Sequence, residues 1–169
     1  MRTPIRVRLA VLLFAAASLQ GQAGAPPILR IPGAADKAID PASLLGRNER
    51  DVRLEDSGGT IVYHGMPLLE VLERGGLDLK TMNGQRAAAT EVVLASARDG
   101  YTVVFSVGEL IANRSNPKVF LVSESSGEGP LPEKEGPVRL IVYGDKARSA
   151  YALAKIELRS LAENKPVGK

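Results

Sequence analysis

Few side chains in this 169-residue chain can do chemistry, and their types narrow the choice. His64 is the single imidazole, hence the one side chain whose unperturbed pKa lies near neutrality. One His cannot build a metal site alone, and no second one exists for a relay. The chain has no cysteine, which excludes disulfides, thiolate zinc sites, iron–sulfur clusters, cysteine nucleophiles and a lipid anchor on Cys. Glu70, Glu73 and Glu109 show no paired-carboxylate spacing suited to acid–base work, and Gly58-Gly59 and Gly75-Gly76 lack the strand-to-helix setting of a phosphate loop. What remains is cationic. Arg139, Lys146, Arg148 and Lys155 cluster late in the sequence, where guanidinium forks suit phosphate. The bland alternative is a solvated charged face. Arg139 lies inside an apolar run, so it either faces outward by alternation or enters an internal ion pair or anion contact. Arg98, Asp99 and Tyr101 form the last group, and they share one turn.

That turn organises the chain. Two apolar runs in EVVLASARDGYTVVF, residues 91–105, flank Arg98-Asp99-Gly100, and Asp-Gly between such runs signals a tight hairpin with a primed turn. Tyr101, Val103 and Phe105 alternate with Thr102, Val104 and Ser106, the period of a strand. The hairpin therefore presents Arg98, Asp99 and Tyr101 together at one end of a sheet. Asp99 also has a backbone reason to be there, since Asp-Gly favours turns. Tyr101 equally fits ordinary strand packing.

Upstream, 51–55 (DVRLE) and 60–63 (TIVY) read as a strand pair around Ser57-Gly58-Gly59. Pro67 opens a helix whose apolar side is Leu68, Leu69, Val71 and Leu72, and Gly75 stops it. Asn83-Gly84 marks a turn, with one helical turn over 86–89. Ser106 and Glu109 form a capping box for a short helix ended by Asn113. Strands are expected over 118–123, 138–143 and 156–161, a surface loop over 124–137, and a helical segment over 147–154. Many short strands with few short helices argue for an α+β fold with a mixed or mostly antiparallel sheet.

Residues 1–23 have the build of a secretory signal: Arg2, Arg6 and Arg8, then an apolar run over 9–19 too short to span a bilayer easily, then small residues. Cleavage after Ala23 is expected, which leaves no membrane anchor. Those three arginines account for the whole +3 balance, so the mature chain is formally neutral and a nucleic-acid role loses its support. About 146 residues remain, enough for one core without staples. The expected organisation is a signal peptide over 1–23, an extended lead-in over 24–50, one domain over 51–162 and a polar tail over 163–169. The destination is periplasmic or secreted.

Three segments in order carry a family resemblance. Gly65-Met66-Pro67-Leu68-Leu69-Glu70-Val71-Leu72, Ala97-Arg98-Asp99-Gly100-Tyr101, and Gly136-Pro137-Val138-Arg139-Leu140-Ile141-Val142-Tyr143-Gly144-Asp145 resemble, respectively, a helix start, a DGY turn and a strand of the oxidoreductase molybdopterin-binding domain, the sulfite-oxidase-like fold. The resemblance spans about 52–161. It implies that fold, a pterin cofactor, and a cofactor cleft near His64, Arg98, Tyr101, Arg139, Lys146 and Arg148, with the late cations at the pterin phosphate.

The departures are equally specific. Enzymes of that family ligate molybdenum through a Cys, and here the equivalent stretch is reduced to Asp56-Ser57-Gly58-Gly59; an oxygen ligand from Asp56 or Ser57 is a different chemical choice. Tyr143 replaces the family's Pro before Gly144, and Arg148-Ser149 keeps a basic residue but loses the Trp that follows it. Arg6 and Arg8 are split by Val7, so the twin-arginine pair used to export preloaded cofactor enzymes is missing. Molybdopterin is thus implied by resemblance alone, and molybdenum is not expected. The expectation is an exported domain that binds a small anionic or pterin-type ligand, or a periplasmic protein partner. The alternative is a molybdopterin-dependent oxidoreductase with a non-Cys metal site.

Overall fold

The computed structural model describes residues 24–46, 49–56 and 59–161. The expected signal segment, the Ser57-Gly58 part of the first hairpin turn and the polar tail lie outside them. The fold is α+β: two five-stranded sheets and a few short helices. The first sheet has the order β2-β1-β10-β5-β6, from Ile28–Arg30 (β1), Lys37–Ala38 (β2), Glu91–Ala97 (β5), Thr102–Ser106 (β6) and Leu153–Ser160 (β10). Its β1–β10 pair is parallel and its other pairs are antiparallel. The second joins Arg50–Asp56 (β3), Gly59–Pro67 (β4), Val119–Ser125 (β7) and Gly129–Pro130 (β8) in that order, with Arg139–Val142 (β9) also pairing β7. All its pairs are antiparallel. Three short α-helices, Leu68–Gly75 (α1), Met82–Ala88 (α2) and Val107–Ala112 (α3), and 3-10 turns at Pro41–Leu44, Glu133–Glu135 and Lys146–Arg148 complete the described elements.

The organising hairpin forms, with Val93 opposite Phe105 and Ala95 opposite Val103. Val103 and Phe105 turn into the core, while Thr102, Val104 and Ser106 face out. The turn differs from the primed type. Gly100 N–H bonds the Ala97 carbonyl at 3.2 Å, and of the three turn residues Gly100 alone has positive φ, at +89°. This is a three-residue loop, a turn over Arg98-Asp99 followed by a left-handed glycine. Asp99 serves it by accepting the Tyr101 N–H at 2.9 Å.

The main core fills with Met66, Leu68, Leu72, Val93, Phe105, Leu121, Leu140, Leu153 and Ile156. Each such side chain contributes about 1.5–3 kcal/mol of burial. Strand β7 is apolar on both faces because a second cluster, Tyr63, Phe120, Val122, Leu131 and Ile141 with Val52, is separate from the main one. Helix α1 buries the four apolar residues read from its period. It extends through Gly75 and closes one residue later, at Gly76, where Leu77 N–H reaches back to the Leu72 carbonyl at 3.0 Å.

Three stretches differ from expectation. Residues 24–46 belong to the fold: β1 adds to the sheet beside β10, and Leu29, Ile31, Ile39 and Leu44 enter the core. Asn83-Gly84 lies inside α2, because Thr81 caps that helix by accepting the Gly84 N–H at 3.0 Å. Residues 147–154 form no α-helix. A 3-10 turn over Lys146–Arg148 is followed by an Ala150 bridge to Leu140 and then by β10.

On β10, Arg159 Nε and Lys155 Nζ donate to Glu157 at 2.9 and 2.6 Å and hold its carboxyl down from 4.5 to about 2. A depressed carboxyl pKa stabilises the fold above its unfolded value and loses that contribution as pH falls through its folded one. Glu157→Gln is therefore expected to lower the thermal midpoint by a few degrees at pH 7. Melts recorded at descending pH should show that gap closing as pH approaches 2. A gap independent of pH would mean that the three groups are solvated separately.

A charged cavity between two helices

Helices α1 and α3 flank a cavity of about 740 Å³, closed by the start of β7 and the turn after β9. Leu69, Leu110, Val119 and Val142 give it apolar wall. The charged lining is balanced: Glu70, Glu73, Glu109 and Asp145 against Arg74, Arg114, Lys118 and Arg148. The helices place these groups because their apolar faces are spent on the core, which leaves Glu70, Glu73, Arg74 and Glu109 on polar edges. Arg114, beyond the end of α3, donates from Nη2 to both Glu73 carboxylate oxygens, at 2.6 and 2.9 Å, and so ties the two helices together.

Arg148 is the most constrained cation of the set. Its Nε donates to Asp145 Oδ2 at 2.7 Å and its Nη1 to Glu109 Oε1 at 3.2 Å. Asp145 Oδ1 also accepts the Arg148 backbone N–H at 3.1 Å, which closes the 3-10 turn. The guanidinium sits 5.3 Å from the centroid of the Phe105 ring. The hydrogen bonds to Asp145 and Glu109 raise the Arg148 pKa, and the bond from Arg148 lowers that of Asp145. Nη2 has no partner among the described residues, so a pre-oriented donor is left at the cavity. Ser106 Oγ accepts the Glu109 N–H at 2.9 Å as the capping pattern requires, while the Glu109 carboxylate serves Arg148.

The sequence candidates part company here. Tyr101 does reach this corner: its hydroxyl donates to the Ala147 carbonyl and staples the hairpin to the turn carrying Arg148. Lys146 shares that turn, exposed and outside the cavity lining. Arg98 instead clamps the N-terminal segment, with Nη2 donating to the Ala25 carbonyl at 2.7 Å. His64 sits on β4 with Nδ1 3.1 Å from Glu49 Oε1 and 3.3 Å from Asp51 Oδ1, neither in hydrogen-bonding geometry. Glu124 lies opposite it on β7. Arg139 cannot serve a cleft. It is buried between the Tyr63 and Tyr151 rings, 5.1 and 4.0 Å from their centroids, and Nη1 donates to Glu135 at 2.9 Å and to Tyr63 Oη at 2.7 Å. The buried-strand position resolves as an internal ion pair, because a desolvated guanidinium needs a carboxylate more than the sheet needs an apolar residue. Lys155 is occupied by Glu157. The late cations therefore do not form one phosphate patch.

Sequence reasoning missed the carboxylates. Glu70, Glu73 and Asp145 carry no short-range motif of a site, and the capping box of Glu109 gives no sign of its pairing with Arg148; their signal is that the polar edges of two helices converge on the turn after β9.

The residues present do not fit a molybdenum–pterin centre. No thiolate ligand exists in the chain, and among the described residues no three His, Asp or Glu side chains group as a metal site. Neither a known protein-family model nor a curated protein sequence matches the chain.

Proposed function

We propose that the protein is an exported binding domain, periplasmic or secreted, of sulfite-oxidase-like architecture, and that it holds a small anionic ligand in the cavity without turning it over. The signal-like composition of residues 1–23 supports the compartment. One observation carries the rest. The three segments that resemble the family are far apart in sequence, yet all reach this cavity corner. Pro67, Leu69 and Glu70 form one wall, Val142 to Asp145 another, and Tyr101 bonds the turn between them and Arg148. The volume suits a small molecule. Arg148 is the group best placed to meet an anion, since its orientation is already fixed by Asp145, Glu109 and Phe105, so little entropy is lost when Nη2 donates.

Calorimetric titration with inorganic phosphate tests this. A charge-assisted contact is worth about 1.5–3 kcal/mol. Arg148→Ala is therefore expected to weaken phosphate by roughly ten- to a hundredfold. Arg86→Ala, on the exposed side of α2, should leave it unchanged. Equal affinities in the two variants would mean that Arg148 belongs to a solvated charged face.

A further inference from the structure

Among the described residues, every outer edge of the two sheets but one is protected. Strand β2 is two residues long, β3 carries Arg50, Asp51, Arg53 and Glu55, and β8 is a Gly-Pro pair. The free side of β9 is taken by the chain that follows it, since Leu140 exchanges both backbone bonds with Ala150, each 2.9 Å. Short, charged or covered edges keep sheets from joining one another. Strand β6 has none of these devices. Its five residues, Thr-Val-Val-Phe-Ser, include no charge and no proline. The 2.8 Å bond from Ala97 N–H to the Tyr101 carbonyl sets the alternation of the β5–β6 ladder. Backbone groups of Val103 and Phe105 therefore turn to β5, and those of Thr102, Val104 and Ser106 turn to the open edge. Val104, in the middle, is 53% exposed.

We propose that this edge is an interaction surface and that its partner is a second copy of the chain, paired antiparallel about a twofold axis at Val104. Such a contact needs a strand that is complementary to itself. The open-edge residues run hydroxyl, valine, hydroxyl in either direction, so Thr102 faces the second copy's Ser106 and Val104 faces its own counterpart. The outer face of the hairpin is uncharged: Val92, Leu94 and Ser96 stand beside Ser106, Val104 and Thr102. The charged ladder of Lys155, Glu157 and Arg159 lies one strand back, on β10, so like charges do not meet at the axis. Half-buried Leu94 is opposite Val104. Pairing sets Leu94 and Val104 of both copies in one apolar row, the cross-strand contact that stabilises sheets. Ser106 keeps its cap on α3, which uses the side-chain oxygen, while the pairing uses the backbone.

Sedimentation equilibrium of the wild-type protein from micromolar to millimolar concentration tests this, and a reversible monomer–dimer equilibrium is expected. Val104→Lys and Val104→Glu should each weaken dimerisation at least tenfold, because like charges then meet across the axis. An equimolar mixture of the two variants should recover a dimer, since opposite charges then face each other. Arg53→Ala, on the β3 edge, should leave the wild-type dimerisation constant unchanged. Thermal melts check that each variant is folded, as the exposure of Val104 leads one to expect. A wild-type protein that is monomeric at millimolar concentration overturns the proposal, as does a dimer that both Val104 variants leave intact. A dimer lost in both variants and not recovered in their mixture overturns the pairing about Val104.

Discussion

Arg139→Ala is expected to lower the unfolding free energy by about 3–5 kcal/mol, the usual loss when one member of a buried ion pair is removed. The Arg139 side chain is 8% exposed and that of Glu135 15%, so water cannot readily replace the guanidinium. The substitution leaves the Glu135 carboxylate without its cation and the Tyr63 hydroxyl without its donor, and it opens a gap where Arg139 stacked on Tyr151. Urea unfolding gives the value directly. Replacing both partners, Arg139→Met with Glu135→Leu, should cost much less, because no orphaned charge remains. If the single and double variants lose equal stability, the pair is not what holds this region. Burial raises the Tyr63 phenol above its ordinary value of 10.0 even though Arg139 opposes the shift. Loss of Arg139 should move that titration further up, which absorbance at alkaline pH would show.

A comparable loss is expected from Gly65→Ala, a single added methyl. Gly65 lies where the β4–β7 register shifts. A Cβ there would stand 2.1 Å from the Leu121 carbonyl oxygen and 2.7 Å from Val122 Cα. Both are backbone atoms of a central ladder, so no rotamer change can relieve the clash. A loss of about 3 kcal/mol or more follows, at the upper end of overpacking effects. Because β4 runs into Pro67 and α1, this variant should also disturb the cavity wall and reduce phosphate affinity. Gly108→Ala in α3 is the contrast. Its nearest neighbour would be 3.6 Å away, so the melting temperature should hold or rise. Matching losses for the two glycines would contradict the close approach of β4 to β7.

What the sequence made legible follows from the range of the forces involved. The β5–β6 hairpin, the α1 stripe and the Ser106 cap are written within a dozen residues, and each forms. Strand β1 is three residues long and exists because Lys155 to Glu157 lies parallel beside it, a partner more than a hundred residues away. Helix α2 runs through Asn83-Gly84 because the Thr81 side chain caps it, overriding a turn-prone pair. Of the cations that line the cavity, the sequence singled out Arg148 but not Arg74, Arg114 or Lys118, and it gave none of their partners. Arg148 meets Glu109 across 39 positions and Arg139 meets Tyr63 across 76. Composition alone treats all four late cations alike, whereas tertiary pairing buries one, occupies another with Glu157, and leaves Arg148 at the cavity.

The most direct test of the central claim locates the binding site without assuming which residue matters. Amide chemical shifts of the isotope-labelled protein should be followed during titration with N-acetyl-alanine, a small anion that carries no ammonium. The expected result is a saturable set of shifts confined to α1, α3 and residues 142–148, abolished in Arg148→Ala. Shifts centred instead on the exposed edge of β6, or none up to millimolar anion, would contradict a binding function for the cavity.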